Sequence, residues 1–323
     1  MKILTINIGS RSKKYALFED GEKKEEFEGE CGIDLSDVVV GIRIVAPGKF
    51  FTEHREVDAE YLEKLKEASK ITPLHIEPVL KEIEEIKDKY PDTKIIGVSD
   101  SAFHRSMPEV ARVYAIPLKL REKYGIERQG YHGLSLASIV ENVQKERGVV
   151  PEKMIVVHMG GGTSVTALKD GLSLDTSMGW TPLEGVPMAE RVGDIDPAAL
   201  AYLASQENLT GENLEKFISS ECGLEAISGL EHGDMKEIIE AAPNNPKAKL
   251  ALDLYIYRVR KYIGAMAAVL GGCDLLVLTG TIAEGSELVR QKMSENFEYL
   301  ISNTMTVPTN EAAEIFKVVR NLK

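Results

Sequence analysis

Two stretches of this sequence share one design: Lys2-Ile-Leu-Thr-Ile-Asn-Ile-Gly-Ser-Arg-Ser12 and Met154-Ile-Val-Val-His-Met-Gly-Gly-Gly-Thr-Ser164. Each is an apolar strand that enters a small polar turn, and each is followed by a returning strand, at 15–18 and 165–168. Glycine in such a turn lets backbone N–H groups face an anion, because it has no Cβ and reaches positive φ at little cost. A single turn of this kind is explained equally well by an ordinary hairpin. Since the design occurs once in each half of the chain, it predicts a phosphate held between two related domains.

The composition is that of an ordinary globular protein with an acidic balance. The chain has 323 residues, of which 43% are hydrophobic and 28% charged, and this length suits two hydrophobic cores. Its 39 basic and 51 acidic side chains give a formal net charge of −12. Such a charge argues against a nucleic-acid backbone or an anionic membrane as partner. It does not exclude a small anionic substrate, because a few local arginines or lysines can dominate a cleft.

The sequence also lacks the usual signals of export and of cysteine-based sites. Met1 leads directly into the first strand, and no apolar run approaches the ~20 residues that a membrane span needs. Cys31, Cys222 and Cys273 are isolated and form no C-x-x-C pair. We therefore expect a cytoplasmic protein without disulfides or a zinc site.

Strands alternate with helices along the chain, which predicts an α/β fold in which a sheet is flanked by helices. Besides the two hairpins, β-branched apolar runs predict strands at 38–45, 94–99 and 274–280. Apolar residues at helical spacing predict helices at 58–69, 76–90, 197–205, 211–221, 247–270, 286–296 and 311–322.

Polar side chains or glycines lie at the ends of five of these strands, namely Asn7, Arg43, Asp100, 158–162 and 279–280. Parallel strands present ligand-binding residues at their carboxyl ends. Any one of these residues is explained equally well as a turn or cap residue. Together they predict a functional edge in the sheets.

The segment 175–197 is rich in turn-forming residues and too long for a simple connector, which is typical of a functional loop. It resembles the pattern D-T-S-M-G-(L/F)-T-P-L-E-G…M-G-T-R-S-G-D-I-D-P of the acetate kinase family almost residue by residue. Further family motifs are matched in the family's order at 7–14, 72–75, 100–108, 130–135 and 308–311. On these motifs the chain is identified as a member of that family, the acetokinase branch of the sugar-kinase, heat-shock chaperone and actin superfamily.

The resemblance implies an α/β fold of two duplicated actin-like (ribonuclease H-like) domains, each a mixed sheet flanked by helices. We expect an N-terminal acetokinase domain at 1–100, completed by a returning C-terminal helix at 312–323. The C-terminal domain, with the nucleotide-binding loops, is expected at 101–311. The family also implies a homodimer.

The resemblance further implies roles for individual residues in a phosphoryl transfer between ATP and a short carboxylate. Arg43 and Arg191 are expected to hold the carboxylate and the transferring phosphoryl group, since a planar guanidinium binds oxyanions in pairs. His132 is expected to stabilise the transition state as a donor, although a structural role for a buried histidine is an alternative. Asp100 is expected to orient an arginine and Mg²⁺ rather than to move protons, because a carboxylate nucleophile is already ionised at pH 7.

The remaining expected site residues fall into three groups. The metal-side residues are Asn7 and Glu311, and the small apolar pocket for the acyl group is lined by Val45, Leu74, Tyr131 and Pro182. The nucleotide and phosphate residues are Ser10, Ser12, Lys14, His158, Met159, Gly160, Gly161, Gly162, Asp234, Met235, Lys236, Thr281, Ile282, Ala283, Glu284 and Gly285. For Lys14 the alternative is a solvated surface lysine, because another lysine precedes it.

The departures from the family pattern concentrate on the nucleotide side. The loop T-G-G-I-G-E-N is replaced by 279–285, where the Cβ atoms of Thr281 and Ala283 are expected to crowd a ligand and would be strained at positive φ. Lys236 stands where the family has an arginine, and lysine neither stacks nor forks as arginine does. Arg11 adds a cation to the first turn, and Tyr131 adds a hydroxyl to the acyl pocket.

The resulting hypothesis is a cytoplasmic acetate kinase of acetyl-CoA biosynthesis. It would transfer phosphate reversibly and in line between ATP and acetate, giving acetyl phosphate and ADP, with Mg²⁺ or its substitute Mn²⁺. No nucleic acid or membrane is expected as partner. Two alternatives stay open: a carboxylate kinase with another short-chain acid or with pyrophosphate or phosphate as phosphoryl partner, and a binding homologue that has lost turnover.

Overall fold

A computed structural model of the chain describes residues 1–9, 12–29 and 31–322. The chain divides into two compact units. The first unit comprises Met1–Arg105, Tyr114–Asn142 and Thr309–Lys323, and the second comprises Ser106–Val113 and Val143–Pro308. The contacts thus group 114–142 with the first unit, whereas the sequence assigns this segment to the C-terminal domain. The functional domain assignment stays a prediction.

The first unit is built on a six-stranded mixed sheet with the strand order β3-β2-β1-β4-β6-β5. Strands β1, β4 and β6 run parallel, while β2 and β3 continue the sheet antiparallel on one side and β5 pairs antiparallel with β6 on the other. The strands are β1 (Lys2–Ile8), β2 (Lys13–Glu19), β3 (Glu22–Glu28), β4 (Val38–Ile44), β5 (Arg55–Glu56) and β6 (Ile95–Ser99).

The second unit repeats the same plan in a five-stranded sheet with the order β11-β10-β7-β8-β9. Its strands are β7 (Lys153–Met159), β8 (Thr163–Lys169), β9 (Leu172–Thr176), β10 (Leu275–Thr279) and β11 (Thr304–Thr306). A central strand again pairs antiparallel with the returning strand of its hairpin and parallel with a later strand. The α/β fold with two duplicated mixed sheets, predicted from the sequence, is confirmed.

Helices flank both sheets. In the first unit they are α1 (Ala59–Ser69), α2 (Pro73–Lys89), α4 (Leu118–Tyr124), the greater part of α5 (Gly133–Arg147) and α13 (Glu311–Asn321). In the second unit they are α3 (Glu109–Arg112), α6 (Pro197–Gln206), α7 (Glu212–Ser220), α8 (Gly223–Ser228), α9 (Met235–Ala241), α10 (Pro246–Leu270), α11 (Thr281–Gly285) and α12 (Glu287–Ser294). Within the described residues, no helix combines the length and apolar character required to cross a membrane.

The C-terminal helix α13 packs on the sheet of the first unit because glycine leaves room for it. A Cβ at Gly41, in the middle of β4, would lie 2.5 Å from a methyl group of Val319 and 2.7 Å from one of Ile315. Ile315, Phe316 and Val319 are buried there with Phe18 of β2. Helix α13 therefore packs closely on the sheet of the first unit.

Candidate active site

The parallel strands of the first unit bring three polar side chains to one edge of its sheet. Ile6 of β1 lies opposite Ile42 of β4, so that Asn7 and Arg43 follow side by side. Asp100 comes directly after β6, and its backbone N–H donates to the carbonyl of Ile44 at 3.0 Å. The carboxyl ends of parallel strands meet at one edge, as the sequence analysis assumes.

Arg43 is the centre of this cluster. One terminal nitrogen, Nη2, donates to Asp100 Oδ2 at 2.7 Å. The other, Nη1, donates to Asn7 Oδ1 at 3.1 Å and lies 3.8 Å from Glu311 Oε2. The guanidinium is buried. It is thus fixed in place by groups from three different elements of the first unit.

The Asp100 carboxylate also receives backbone donors from the start of α5. The N–H groups of His132 and Leu134 donate to it at 2.7 and 3.4 Å. A Cβ at Gly133 would lie only 2.3 Å from the carbonyl oxygen of Asp100, so this close approach requires glycine. An aspartate distant in sequence thereby satisfies orphan donors at the N-terminus of a helix, where negative charge is favoured.

These contacts keep both members of the buried pair charged. Burial by itself raises the pKa of Asp100, but the charge and hydrogen bond of Arg43 and the N–H donors of His132 and Leu134 outweigh it and hold that pKa below its ordinary value. Burial likewise lowers the pKa of Arg43, and the charges of Asp100 and Glu311 more than reverse this. Asp100 is therefore a fixed anion and has no proton to give near neutral pH.

His132 has the left-handed backbone conformation, with φ of 62°, which non-glycine residues adopt at a cost. Two contacts hold this turn. The backbone N–H of His132 donates to Asp100, and the carbonyl of the preceding Tyr131 accepts a 2.9 Å hydrogen bond from Nε2 of buried His104. A carbonyl only accepts, so His104 is in the tautomer protonated at Nε2. The strain at His132 marks it as a residue whose placement the surrounding structure enforces.

Glu311 is positioned by a contact that the sequence does not reveal. It opens α13, and the N–H of the preceding Asn310 donates to the Ser138 hydroxyl on α5 at 2.9 Å. Asn310 also caps α13 through its side chain, which accepts from the N–H of Ala313. Helix α5 therefore holds Asp100 with its first turn and the start of α13 with its second.

Asn7 and Glu311 fit the requirements of Mg²⁺. The Asn7 amide donates to the Glu311 carboxylate, so one amide and one carboxylate group lie side by side. Mg²⁺ takes hard oxygen ligands and is commonly held by one or two carboxylates, with water and phosphate oxygens completing its shell. No cluster of three or more histidine, cysteine, aspartate or glutamate residues suited to a metal occurs in the part of the chain that the structure describes. This donor set suits Mg²⁺ bound together with phosphate rather than a metal held by protein alone.

In the second unit, the glycine turn 158–162 lies beside the end of β10. His158 pairs in register with Thr279, and the Gly160 N–H donates to the Gly162 carbonyl at 2.9 Å. Gly280 has φ of 89°, and a Cβ there would lie 2.5 Å from the carbonyl oxygen of Met159. Two of the expected nucleotide segments, 158–162 and 279–285, are thus neighbours in space.

The two substitutions expected to crowd the nucleotide loop lie in a helix. Residues 281–285 form α11, so neither Thr281 nor Ala283 carries a positive φ. Ala283 is buried in the apolar core of the second unit, and Thr281 is exposed. The expected strain at both positions and the expected crowding by Ala283 are therefore wrong, because this Cβ faces the core.

The third expected nucleotide segment begins α9. The exposed Asp234 is its N-cap and accepts from the N–H of Lys236 at 2.7 Å, while Met235 is buried in the core. The Asp234 side chain thus has a structural role as a helix cap, and the side chain of Lys236 is exposed.

The long loop after β9 carries Arg191 in the second unit. Arg191 is buried, and its Nη1 lies 3.3 Å from the sulfur of Met188. Two backbone bonds brace the loop: Met188 N–H donates to the Arg191 carbonyl at 3.1 Å, and Val192 N–H donates to the Ile218 carbonyl at 3.0 Å. The guanidinium is thus presented by a loop with a fixed backbone.

The other expected residues have varied surroundings. Lys14 forms an ion pair with Glu28 of the neighbouring strand at 3.5 Å, and both side chains are largely exposed. This environment agrees with the alternative interpretation of Lys14 as a solvated surface lysine. Ser12 is exposed, whereas Ser10 and Arg11 lie outside the described residues. Of the expected acyl-pocket residues, Val45 and Leu74 are half-buried and Tyr131 is buried in the first unit, and Pro182 is buried in the second.

Comparison with known proteins identifies the family. A family model described as the Acetokinase family matches residues 31–314. The chain belongs to the acetokinase family. The acetate kinase of Parabacteroides distasonis is 35% identical over a match that covers 93% of this chain and 88% of the relative. The predicted family membership is therefore confirmed, and with it the class of a kinase that transfers phosphate to a carboxylate.

Solved structures agree with this family and its fold. The acetate kinase of Porphyromonas gingivalis superimposes with a TM-score of 0.82 at 30% sequence identity, over 100% of both chains. A propionate kinase from Francisella tularensis superimposes with a TM-score of 0.84 at 28% identity, over 97% of both chains.

The buried His104 generates a prediction about stability and pH. Burial lowers its pKa from 6.5 to about 4, against smaller opposing effects of Tyr131 and Asp100. The unfolded chain therefore binds more protons between these values, so this histidine stabilises the fold fully above pH 6.5 and loses that contribution as pH falls towards 4. The free energy of unfolding should fall by up to about 1.4 kcal/mol per pH unit in this window because of His104 alone.

Urea unfolding between pH 4 and 7 measures this effect, with His104→Gln as the matched variant. Glutamine can donate to the Tyr131 carbonyl and does not titrate. The variant should therefore show a shallower dependence on pH than the natural protein. Parallel curves would contradict the assignment of a neutral, buried His104.

Proposed function

We propose that this member of the acetokinase family is an acetate kinase. It transfers the γ-phosphoryl group of ATP reversibly to acetate, giving acetyl phosphate and ADP, by direct in-line transfer. The observation that carries the proposal is the cluster of buried Arg43 and Asp100 with half-buried Asn7 and Glu311, which holds a guanidinium beside a carboxylate–amide pair. Family membership supplies the class of reaction, and this cluster supplies groups suited to it.

The reaction needs positioning and charge rather than proton transfer. An acetate oxygen forms a bond to the γ-phosphorus while the bond from that phosphorus to the β,γ-bridging oxygen breaks, and the electron pair leaves with ADP. Acetate is ionised at neutral pH, so no general base is required. This agrees with the lowered pKa of Asp100, which keeps the carboxylate charged and able to hold Arg43.

Arg43, Arg191 and His132 stabilise the charge in this proposal. Arg43 and Arg191 bind oxygens of the carboxylate and of the transferring phosphoryl group, and His132 donates to the latter in the transition state. Asn7 and Glu311 would hold Mg²⁺, which would neutralise charge on the phosphate oxygens. The glycine turn 158–162 and the adjacent segment 279–285 contribute backbone N–H groups to the nucleotide phosphates.

A second candidate is a kinase for a slightly larger acid. The similar solved structure of a propionate kinase favours it. One methylene group in an apolar pocket changes specificity by only about 1–3 kcal/mol. Acetate and propionate must therefore be compared as substrates by their kcat/KM values.

A coupled assay of ADP formation with acetate, ATP and Mg²⁺ tests the proposal, with propionate, pyrophosphate and acetyl phosphate as comparison substrates. We expect turnover with acetate and ATP that depends on the divalent ion. Turnover of acetyl phosphate with inorganic phosphate but with no nucleotide would replace ATP by another phosphoryl partner. Binding of nucleotide or carboxylate without turnover would instead support a binding homologue.

Removal of Arg191 should separate catalysis from folding. Arg191→Ala should lower kcat by about 100- to 1000-fold, because one donor to the developing charge is lost. Arg191→Lys keeps the charge without the fork and should recover only part of this loss. The unfolding midpoint of both variants, measured by urea titration, should stay near that of the natural protein. Full activity of Arg191→Ala would refute the role.

We also propose that the enzyme is a cytoplasmic homodimer that uses α6 as part of its interface. This helix contains no charged residue, and none of its residues is buried in the single chain. Tyr202 is 66% exposed and its neighbour Leu203 37%. An exposed apolar helix of this kind is typical of a protein–protein interface.

Tyr202→Glu should therefore shift the protein from dimer to monomer, because it places a charge in the apolar contact. Size-exclusion chromatography with light scattering measures the mass. Val110→Glu is the matched control, since Val110 is also strongly exposed but lies outside α6. A Tyr202→Glu variant that stays dimeric, or a natural protein that is monomeric, would contradict this interface.

A further inference from the structure

The loop that carries Arg191 is closed at its base by Asp194. The Asp194 N–H donates to the Gly185 carbonyl at 2.9 Å, and the Gly185 N–H returns a 2.9 Å hydrogen bond to Asp194 Oδ1. These two bonds join the ends of a ten-residue segment, 185–194, that contains Arg191. Asp194 is not among the site residues expected from the sequence.

The second carboxylate oxygen of Asp194 connects the 185–194 segment to the long helix α10. Asp194 Oδ2 accepts a 2.6 Å hydrogen bond from the hydroxyl of Tyr262 on α10. Helix α10 is anchored by buried side chains that include Tyr255, Val259 and Ile263. The carboxylate therefore links the loop to the most extensively packed helix of the second unit.

Glycines at two positions allow the backbone near Arg191 to pack more closely than any side chain would permit. A Cβ at Gly193 would lie 2.5 Å from the nitrogen of Pro187, and a Cβ at Gly223 would lie 2.7 Å from the nitrogen of Arg191. The backbone around Arg191 is thus closely packed on both sides. The Asp194 carboxylate adds a side-chain hydrogen bond between this packed loop and Tyr262 of α10.

We propose that Asp194 is a positioning residue for Arg191, a proposal that rests on the function given above. Asp194 acts through the backbone of the loop and touches no substrate itself. A misplacement of about 1 Å in a catalytic arginine can lower the rate by ~100-fold. A carboxylate suits this position because it accepts from an N–H and an O–H at once, whereas an alanine leaves both donors without their acceptor.

A double-mutant cycle tests the proposal through kcat and KM. Asp194→Ala should lower kcat by about 10- to 100-fold, with a smaller change in KM for the nucleotide. Asp194→Asn keeps one acceptor and can also donate to Tyr262, so it should recover most of this loss. In an Arg191→Ala background, Asp194→Ala should change kcat by less than about threefold, because the arginine that it positions is gone.

The control is Asp196→Ala, two residues away. Asp196 caps α6 by accepting from the N–H of Ala198 at 2.7 Å, so this variant also loses a carboxylate without opening the 185–194 segment. Its kcat should equal that of the natural protein. Should Asp194→Ala fail to fold, Tyr262→Phe removes only the hydroxyl tie and serves in the same cycle.

Amide hydrogen exchange supplies a readout that needs no turnover. Asp194→Ala should speed exchange in peptides covering 185–194 and leave α10 unchanged. An equal loss of kcat in both backgrounds, or unchanged exchange in this segment, would overturn the positioning role. If the natural protein shows no phosphoryl transfer, the proposed function fails, while the exchange experiment still decides whether Asp194 fixes the loop.

Discussion

The buried ion pair between Arg43 and Asp100 is the constraint on which the first unit depends. Two charges removed from water are costly unless their remaining donors and acceptors are also satisfied. The partners come from separate segments: Asn7 near the end of β1, the N–H groups of His132 and Leu134 at the start of α5, and Glu311 at the start of α13. The contacts of this one pair therefore connect β1, β4, β6 and two helices.

The duplicated fold gives its two copies different chemistry at equivalent positions. Strands β1 and β4 correspond to β7 and β10, so the ends that carry Asn7 and Arg43 in the first unit carry His158 and Thr279 in the second. The first unit presents a guanidinium and carboxylates, whereas the second presents a glycine turn with accessible backbone. The same topology thus supplies side-chain charge in one copy and a backbone cradle in the other.

The sequence was sufficient for the central strands, the longer helices and the strand-end residues, because apolar periodicity and turn chemistry are local. It did not reveal β3, since Glu22–Glu28 contains six charged residues and shows no apolar alternation. Tertiary contacts were also out of reach: Asp194 and Tyr262 are 68 positions apart, and Ser138 and Asn310 are 172 apart. Ala283 shows the converse error, because a family loop suggested a ligand contact where the side chain faces the core.

The states of the titratable groups explain why so strained a site suits this reaction. Asp100 stays ionised and His104 stays neutral near pH 7, since the first is held by Arg43 and the second is buried against the Tyr131 carbonyl. Both contacts meet at the turn of His132, whose positive φ persists because the groups on either side of it are fixed. Protonation of Asp100 would weaken the hydrogen bond from the His132 N–H that helps to hold that turn. A carboxylate nucleophile is already an anion, so the reaction needs charged groups in fixed positions rather than a proton transfer. The cluster around Arg43 and Asp100 suits this need, because its protonation does not change near neutral pH.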